Sequence, residues 1–131
     1  MPGRTRLELM ILGVGIDVVD ISRLQRRIER VPRLKERLFT PVERDESIES
    51  LAARFAAKEA LAKVLGAPPG LSWQEAEIRR TVHGRPQLRV SGEAADLAAR
   101  MGVTSFHVSL SHDAGIATAV VVADGDPGGS L

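Results

Sequence analysis

Hydrophobic residues alternate with small or polar ones near the start of the chain, in the segment ILGVGIDVV at residues 11–19. This two-residue period predicts a β-strand, because successive side chains of a strand point to opposite faces. The apolar face of the strand consists of Leu12, Val14, Ile16 and Val18. The other face is nearly bare and consists of Gly13, Gly15 and Asp17.

The two glycines leave open space beside Asp17. Since glycine has no Cβ, a bulky ligand could approach the strand closely at this point. The segment does not fit the dinucleotide-binding fingerprint, because the third glycine would fall at Val18 and no acidic residue follows at the expected distance. Asp17 is therefore either a functional carboxylate or a strand-end carboxylate in a surface hydrogen bond.

Three segments have the three- to four-residue spacing of apolar positions that predicts helices. The first begins at Ile21 and continues through Leu24, Ile28 and Val31. The second, ESLAARFAAKEALAKVLG at residues 49–66, should end at Gly66, with two prolines shortly beyond it. The third is a short helix over residues 92–102.

Two β-hairpins complete the pattern. EIRRTV and PQLRVSG flank a turn at residues 83–85, and FHVSLS and IATAVVVA flank HDAG at residues 112–115. Phe106, Val108 and Leu110 should face the core. This mixture of helices and hairpins predicts an α+β fold with a largely antiparallel sheet and packed helices, in a single domain. Residues 124–131 have a turn-forming, weakly apolar composition and are predicted to form a flexible tail.

Composition narrows the classes of function. The chain has 131 residues, a net charge of +1 and no cysteine, so disulfides, thiolate catalysis and zinc–thiolate sites are excluded. Neither a membrane-spanning segment nor a secretory signal is present, which predicts a cytoplasmic protein with no membrane partner. The small net charge argues against nucleic acid as a partner.

Charge is nevertheless concentrated locally. Residues 21–38 contain seven basic residues against Glu29 and Glu36: Arg23, Arg26, Arg27, Arg30, Arg33, Lys35 and Arg37. Such a run is most simply a solvated helix face. Its one-sided sign equally fits a docking surface for an acidic partner.

The alanine-rich second helix carries Glu59 and Lys63 one turn apart. They could form an exposed intrahelical pair, which stabilises a helix by about 0.2–0.5 kcal/mol. The alternative is a partly buried carboxylate that requires a cation. Asp17 and Glu59, together with phosphate oxygens and water, would suit Mg²⁺, and a neighbouring lysine would suit a phosphate. A hydrolase triad of Ser111, His112 and Asp113 is not expected, because successive residues rarely converge on one atom.

Four blocks of the sequence together resemble a known family: GVGIDVVDISR at residues 13–23, FTPVE at 39–43, LAARFAAKEALAKVLG at 51–66 and HVSLSHDAGIATAVV at 107–121. In this order and spacing they resemble the holo-[acyl-carrier-protein] synthases, the short bacterial class of 4'-phosphopantetheinyl transferases, and especially actinobacterial members. The resemblance covers about residues 10–123. Met10 resembles the usual start, so residues 1–9 are an extension.

The resemblance implies a 4'-phosphopantetheinyl transferase fold and a Mg²⁺-dependent reaction. The 4'-phosphopantetheine of coenzyme A would be transferred to a serine of an acidic apo acyl carrier protein, with release of 3',5'-ADP. It also implies a homotrimer with active sites shared between chains, and a place in fatty acid biosynthesis.

The same resemblance assigns roles to particular residues. The metal ligands would be Asp17 and Glu59, and the catalytic residues Glu59, Lys63 and His112. Coenzyme A would be bound by Arg54, Lys63, Gly66, Ser111 and His112, and the carrier protein by Arg23, Arg27 and Arg33. Asp113 could orient His112, and His107 is either a site residue or a satisfied sheet residue. The alternative from another class is a non-enzymatic module that binds acidic proteins or nucleotides through the arginine-rich helix.

Overall fold

The computed structural model describes the backbone of residues 9–130 and the side chains of residues 9–128. The predicted extension, residues 1–9, thus lies outside the described residues except for Leu9. The helices and strands follow in the order β1 (Met10–Asp20), α1 (Ile21–Arg30), α2 (Leu34–Leu38), α3 (Ile48–Val64), β2 (Ala76–Arg80), β3 (Pro86–Val90), α4 (Gly92–Arg100), β4 (Val103–Asp113) and β5 (Ile116–Gly125).

The strands form two antiparallel sheets. The larger has the order β1-β5-β4, and β2 pairs with β3 in a separate hairpin. Asp17 of β1 lies opposite Ala119 of β5, which in turn lies opposite Leu110 of β4. The α+β prediction with a largely antiparallel sheet is therefore confirmed.

Helix α3 packs along one face of the larger sheet. Its alanines are buried almost all round, which explains why the segment tolerates so few large side chains. Ser47 caps its N-terminus by accepting a hydrogen bond from the backbone N–H of Ser50. At the other end Gly66 has φ +84°, and the N–H of Ala67 donates to the carbonyl of Ala62. This Schellman arrangement confirms Gly66 as the end of the helix.

The two glycines of β1 face α3 rather than a ligand. A Cβ placed on Gly15 would lie 2.1 Å from the carbonyl oxygen of Ala60, and one on Gly13 would lie 3.0 Å from Val64. The prediction that these glycines make room for a ligand is therefore wrong. They allow the helix to approach the sheet closely, and this approach brings α3 beside Asp17.

The opposite face of the larger sheet is open and apolar. Val14, Ile16 and Val18 are exposed by 60%, 60% and 59%. They lie in register with the alternate residues of β5, including Val120 and Val122. The predicted apolar face of the first strand is therefore the one that no helix of the described chain covers.

The basic segment breaks into two helices. Helix α1 is capped by Asp20, whose carboxylate accepts from the N–H of Arg23 at 2.9 Å, and it buries Ile21 and Leu24. The amphipathic pattern is thus confirmed. The helix ends before Val31, and Arg33, at φ 65°, precedes α2.

The second hairpin is longer than the sequence pattern predicted. Strand β4 continues through His112 to Asp113, and only Ala114 and Gly115 form the turn. At the other end β5 includes Asp124 and Gly125, and Asp126 is buried. The predicted flexible tail, residues 124–131, is therefore wrong for these three residues. Asp124 and Gly125 pair with β1 and β4, and Asp126 is buried next to them. Phe106, Val108 and Leu110 pack against the core as predicted.

A buried ion pair joins α3 to the preceding loop. Lys58 Nζ lies 2.8 Å from Glu43 Oε1 and 3.0 Å from the carbonyl oxygen of Trp73. Glu43 also accepts from the N–H groups of Thr40 and Ile78, both at 2.9 Å. These bonds satisfy a carboxylate that is fully buried.

Over the described residues, none of the helices has the length and apolarity that crossing a bilayer would need.

Candidate functional site

Two carboxylates meet where β1 runs under α3. Asp17 is on the face of β1 toward the helix, and Glu59 is on α3, so both border one cleft together with Arg23 and Arg27 of α1. Lys63 lies one turn beyond Glu59. Its Nζ is 3.1 Å from Asp17 Oδ1 and 2.8 Å from the carbonyl oxygen of Ile16. The lysine therefore reaches across to the strand instead of simply pairing with Glu59 along the helix.

The environment of Glu59 disfavours its negative charge. Burial and the nearby carboxylate of Asp17 raise the pKa of Glu59 above its ordinary value, and the charge of Lys63 opposes that rise only in part. A carboxylate pair whose repulsion is incompletely neutralised is a suitable place for an additional cation.

The cleft at Glu59 continues between the helices. A neighbouring hollow shares Leu24, Arg27, Phe55 and Glu59 with it and extends to Arg37 and Trp73. Leucine and aromatic side chains line it, together with Arg27, Arg37 and the carboxylate of Glu59. Arg23 and Arg27 are thus placed beside the carboxylate pair, whereas Arg33 lines neither hollow.

A second cleft, of about 240 Å³, lies on the other side of α3. Arg54 borders it together with Ser111 and His112 at the end of β4, which brings three of the predicted binding residues together. Sequence reasoning did not find two further residues that line it, Ser50 of α3 and Arg80 of β2.

Arg54 is fixed within this second cleft by buried contacts. Its Nε donates to the carbonyl of Ile78 at 3.1 Å, and its Nη1 contacts Glu46 at 3.3 Å and Ser50. Glu46 also lies 3.2 Å from Nη2 of Arg80. Burial opposes the charge of Glu46, but the hydrogen bond from Ser50 and the two guanidinium groups hold its pKa below the ordinary value. Glu46 therefore stays ionised and joins α3 to β2.

The two clefts have no described lining residue in common. Asp17 is on β1 and His112 is on β4, at opposite edges of the sheet, with β5 between them. Two strand spacings amount to about 10 Å, and α3 rises between the two sides. Within one chain, the structure therefore does not bring Ser111 and His112 to the carboxylate pair.

Three of the remaining predicted residues border neither cleft: His107, Asp113 and Gly66. His107 is on the open face of the sheet, where its Nε2 lies 2.6 Å from Asp124 Oδ2. This contact satisfies the imidazole away from both clefts. Asp113 is exposed and has no hydrogen bond to His112, since neighbours on a strand point to opposite faces. Gly66 is exposed at the end of α3, with nothing within 4 Å of an added Cβ.

The metal-ligating capacity of the described residues is limited to a pair. Among residues 9–128 no group of three or more histidine and carboxylate side chains converges. A hard cation at Asp17 and Glu59 would need oxygen ligands from a phosphate and from water, which is the usual arrangement for Mg²⁺.

Residues that the sequence prediction missed are of two kinds. Lys58 is 2% exposed and pairs with Glu43, although the sequence alone had assigned it no role. A lysine among the alanines of α3 was the available signal. Glu46 and Arg80 gave no signal, because nothing local indicates that residues so distant in the chain meet.

Comparison with known proteins identifies the class. A family model described as the 4'-phosphopantetheinyl transferase superfamily matches residues 13–121. The holo-[acyl-carrier-protein] synthase of Clavibacter michiganensis subsp. michiganensis is 58% identical over 117 residues, which cover 89% of this chain and 98% of that protein. The protein of the same name from Streptomyces griseus subsp. griseus is 57% identical, with 88% and 100% covered.

Solved structures agree with this result. The Helicobacter pylori holo-[acyl-carrier-protein] synthase in complex with coenzyme A has a TM-score of 0.74 at 34% identity, covering 84% of this chain and 98% of that chain. A Chronobacterium ammoniagenes complex of the synthase with coenzyme A has a TM-score of 0.78 at 30% identity, covering 91% and 98%. The chain belongs to the 4'-phosphopantetheinyl transferase superfamily and, within it, to the holo-[acyl-carrier-protein] synthases. The family resemblance stated above is thereby confirmed, and the protein is an enzyme of this class.

Proposed function

We propose that this protein transfers the 4'-phosphopantetheine group of coenzyme A to a serine hydroxyl of an apo acyl carrier protein, giving holo carrier protein and 3',5'-ADP. The observation that carries the proposal is the carboxylate pair Asp17 and Glu59, with Lys63 beside it, in a chain of this family. A non-enzymatic binding module would not require two carboxylates of like charge to be held together.

The carboxylate pair fits Mg²⁺ by its chemistry. Burial and the neighbouring carboxylate of Asp17 raise the pKa of Glu59, and Asp17 and Glu59 would hold the ion as hard oxygen ligands. When bound, Mg²⁺ would neutralise charge on the pyrophosphate of coenzyme A.

Other residues would position the substrates and move the proton. Lys63 is free at one side to contact the phosphate that is attacked, since its side chain is 53% exposed. The Glu59 carboxylate would accept the serine proton, directly or through a water it orients. Phosphoryl transfer asks mainly for positioning and charge neutralisation, so little covalent work is left to these residues.

The second cleft would bind the rest of coenzyme A. Arg54 and His112 offer a guanidinium and an imidazole to its phosphates, Ser111 borders the cleft at the end of β4, and no described lining residue of this cleft is acidic. Gly66, exposed at the end of α3, would let the ligand pass close to the backbone.

The carrier protein would dock on the basic face beside the carboxylate pair. Arg23 and Arg27 border the cleft that contains Glu59, and an acidic partner matches their charge. Arg33, farther along the chain, would extend that patch.

Because the two clefts are separated within one chain, we place each complete site between two chains of a cyclic homotrimer. The exposed Val14, Ile16 and Val18 provide an apolar surface suited to such an interface. His112 of one chain would then meet Asp17 and Glu59 of its neighbour. We assign the reaction to the cytoplasm and to fatty acid biosynthesis on the basis of family membership alone.

The test is a transfer assay read by mass spectrometry. Incubation with coenzyme A, Mg²⁺ and an apo acyl carrier protein should add one phosphopantetheine mass to the carrier. Asp17→Ala and Glu59→Ala should each remove the activity while their circular dichroism spectra stay unchanged, because they remove ligands rather than core volume. A carrier of unchanged mass with the wild-type protein would refute the proposal, and normal turnover by either variant would remove the carboxylates from the site.

A further inference from the structure

Helix α2 is too short to satisfy its own backbone groups. The last four carbonyls of an α-helix lack intrahelical partners, and α2, Leu34–Leu38, has only five residues. Two side chains from outside the helix, those of Arg44 and Gln74, donate hydrogen bonds to carbonyls at its C-terminal end. The position of α2 therefore depends on partners that lie elsewhere in the chain.

Gln74 makes the larger set of these contacts. Its side-chain Nε2 lies 2.7 Å from the carbonyl oxygen of Glu36, 3.2 Å from that of Arg37 and 3.0 Å from that of Phe39. The two N–H bonds of the amide are thus shared among three acceptors. Arg44 reinforces the contact, since its Nε and Nη2 donate to the carbonyls of Phe39 and Glu36 at 3.0 Å and 3.1 Å.

The turn that carries this glutamine is itself fixed to α3. It is a 3-10 turn, Trp73–Glu75, and the carbonyl of Trp73 accepts a hydrogen bond from Lys58 Nζ at 3.0 Å. The ring of Trp73 also packs on Phe55, with the ring centroids 5.3 Å apart. Phe55 lies one turn before Glu59 on the same helix. A continuous path of contacts therefore joins the helix of the carboxylate pair, through the turn, to α2.

The residues that α2 presents make its position relevant to the proposed docking of the carrier protein. Arg37 and Leu38 line the hollow beside Glu59, and Arg33 directly precedes the helix. Gln74 borders neither this hollow nor the cleft at the carboxylate pair. An effect of Gln74 on carrier binding would therefore be transmitted by α2.

We propose that Gln74 is a positioning residue for the carrier protein. Its amide holds the C-terminal end of α2 toward α3, and so keeps the charges of Arg33 and Arg37 on the basic face where the carrier would dock. This role rests on the proposed function, because it concerns how the carrier is received at that site. Without the amide, Arg44 would still bond the end of α2, so the helix would loosen locally while the fold persists.

Gln87 supplies a matched control. It is an exposed residue of β3 and borders neither of the two clefts nor the hollow beside Glu59. Gln74→Met and Gln87→Met make the same change, which removes an amide and keeps an unbranched side chain of similar length. Neither substitution alters the net charge, so the electrostatic attraction of an acidic carrier stays the same in both.

Hydrogen exchange followed by NMR measures how firmly α2 is held. The N–H groups of Arg37 and Phe39 donate to carbonyls one turn earlier, at 3.1 Å and 3.0 Å. In Gln74→Met these two amides should exchange about tenfold faster than in the wild type, while the amides of α3 keep their rates. Gln87→Met should leave both helices unchanged.

Transfer kinetics measure the consequence for the carrier. Gln74→Met should raise the KM for the acyl carrier protein about fivefold and change the KM for coenzyme A by less than about twofold, because α2 faces the docking side and does not line the second cleft. Gln87→Met should give wild-type values for both substrates.

Three results with Gln74→Met would overturn this role while the proposed function stands. Unchanged exchange in α2 would mean that Gln74 does not hold the helix. Faster exchange with an unchanged KM for the carrier would mean that docking does not depend on the position of α2. Equal increases of both KM values would mean that Gln74 acts through the fold as a whole. A wild-type protein that transfers nothing from coenzyme A would instead refute the proposed function, and the role of Gln74 with it.

Discussion

At the scale of single residues, the carboxylate pair of the candidate site lowers the stability of the folded protein. Asp17 and Glu59 are held near each other by the close approach of α3 to β1, although their charges repel. Lys63 compensates through its contact with Asp17. Burial and the charge of Asp17 nevertheless keep the pKa of Glu59 raised, so the folded protein is less stable when Glu59 is ionised.

This imbalance predicts the effect of removing one charge. Because the pKa of Glu59 is higher in the folded than in the unfolded chain, its ionisation destabilises the fold at neutral and alkaline pH, and this cost disappears as the pH falls through the raised pKa. Glu59→Gln should therefore unfold at a higher temperature than the wild type at pH 8 with a chelator present, by up to a few degrees. The difference should vanish near pH 4, and the variant should be inactive.

Thermal denaturation followed by circular dichroism at the two pH values checks this prediction. Asp20→Asn is not a suitable control, because Asp20 caps α1. Asp113→Asn is suitable, since it removes an exposed carboxylate that borders neither cleft. A Glu59→Gln variant that melts below the wild type at pH 8 would contradict the account.

Sequence identified the proposed site residues better than the residues that support them. Asp17, Glu59 and Lys63 lie in blocks that resemble the family, and the structure brings the three together. Glu46 and Arg80 are separated by more than thirty positions and meet only because β2 packs beside α3. Their contact is tertiary, so neither periodicity nor local spacing could predict it.

At the scale of helices and strands, α3 organises both clefts. It places Glu59 and Lys63 on the side of β1, and Arg54 and Ser50 on the side of β2. Helix α1 contributes to the first cleft because its capped N-terminus follows β1 directly, which places Arg23 beside Asp17. The basic face that sequence could describe only as a charge run is therefore oriented toward the carboxylate pair.

This orientation predicts a selective loss of carrier affinity. Arg23→Glu should raise the KM for the acidic carrier protein about tenfold while the KM for coenzyme A changes less than twofold, because the charge faces the docking surface and not the second cleft. Arg26→Glu makes the same charge change on α1 at a residue that borders neither cleft, and it should have a smaller effect. Steady-state kinetics with each substrate varied in turn measures both. Equal increases of the two KM values for Arg23→Glu would mean that the arginine acts through the fold.

Element boundaries were predictable where a capping residue marks them. Gly66 ended α3 as expected because its positive φ suits glycine. The glycines of β1 were misinterpreted, since an open strand face looks the same in sequence whether a ligand or a helix covers it. The ends of β4 and β5 were also misjudged. Polar residues such as Asp113 and Asp124 continue the pairing of the two strands, whereas the composition of these segments suggested that the strands end earlier.

At the scale of the whole molecule, two features of one chain remain unexplained until a second chain is considered. The sheet exposes an apolar face around Val14, Ile16 and Val18, and the residues predicted to form one site are divided between its two edges. The proposed head-to-tail cyclic assembly would account for both, because it would cover apolar surface and bring β4 of one chain to β1 of the next.

The most direct measurement of this central claim is complementation between two inactive variants. Asp17→Ala would lack the proposed metal half of the site, and His112→Ala would lack the proposed coenzyme A half. When equal amounts are unfolded and refolded together, about a quarter of the interfaces should combine one intact half from each parent, and transfer activity should reach about a quarter of the wild-type value. If native mass spectrometry shows mixed oligomers while the activity stays at the sum of the two parents, each chain builds its own complete site and the account is wrong.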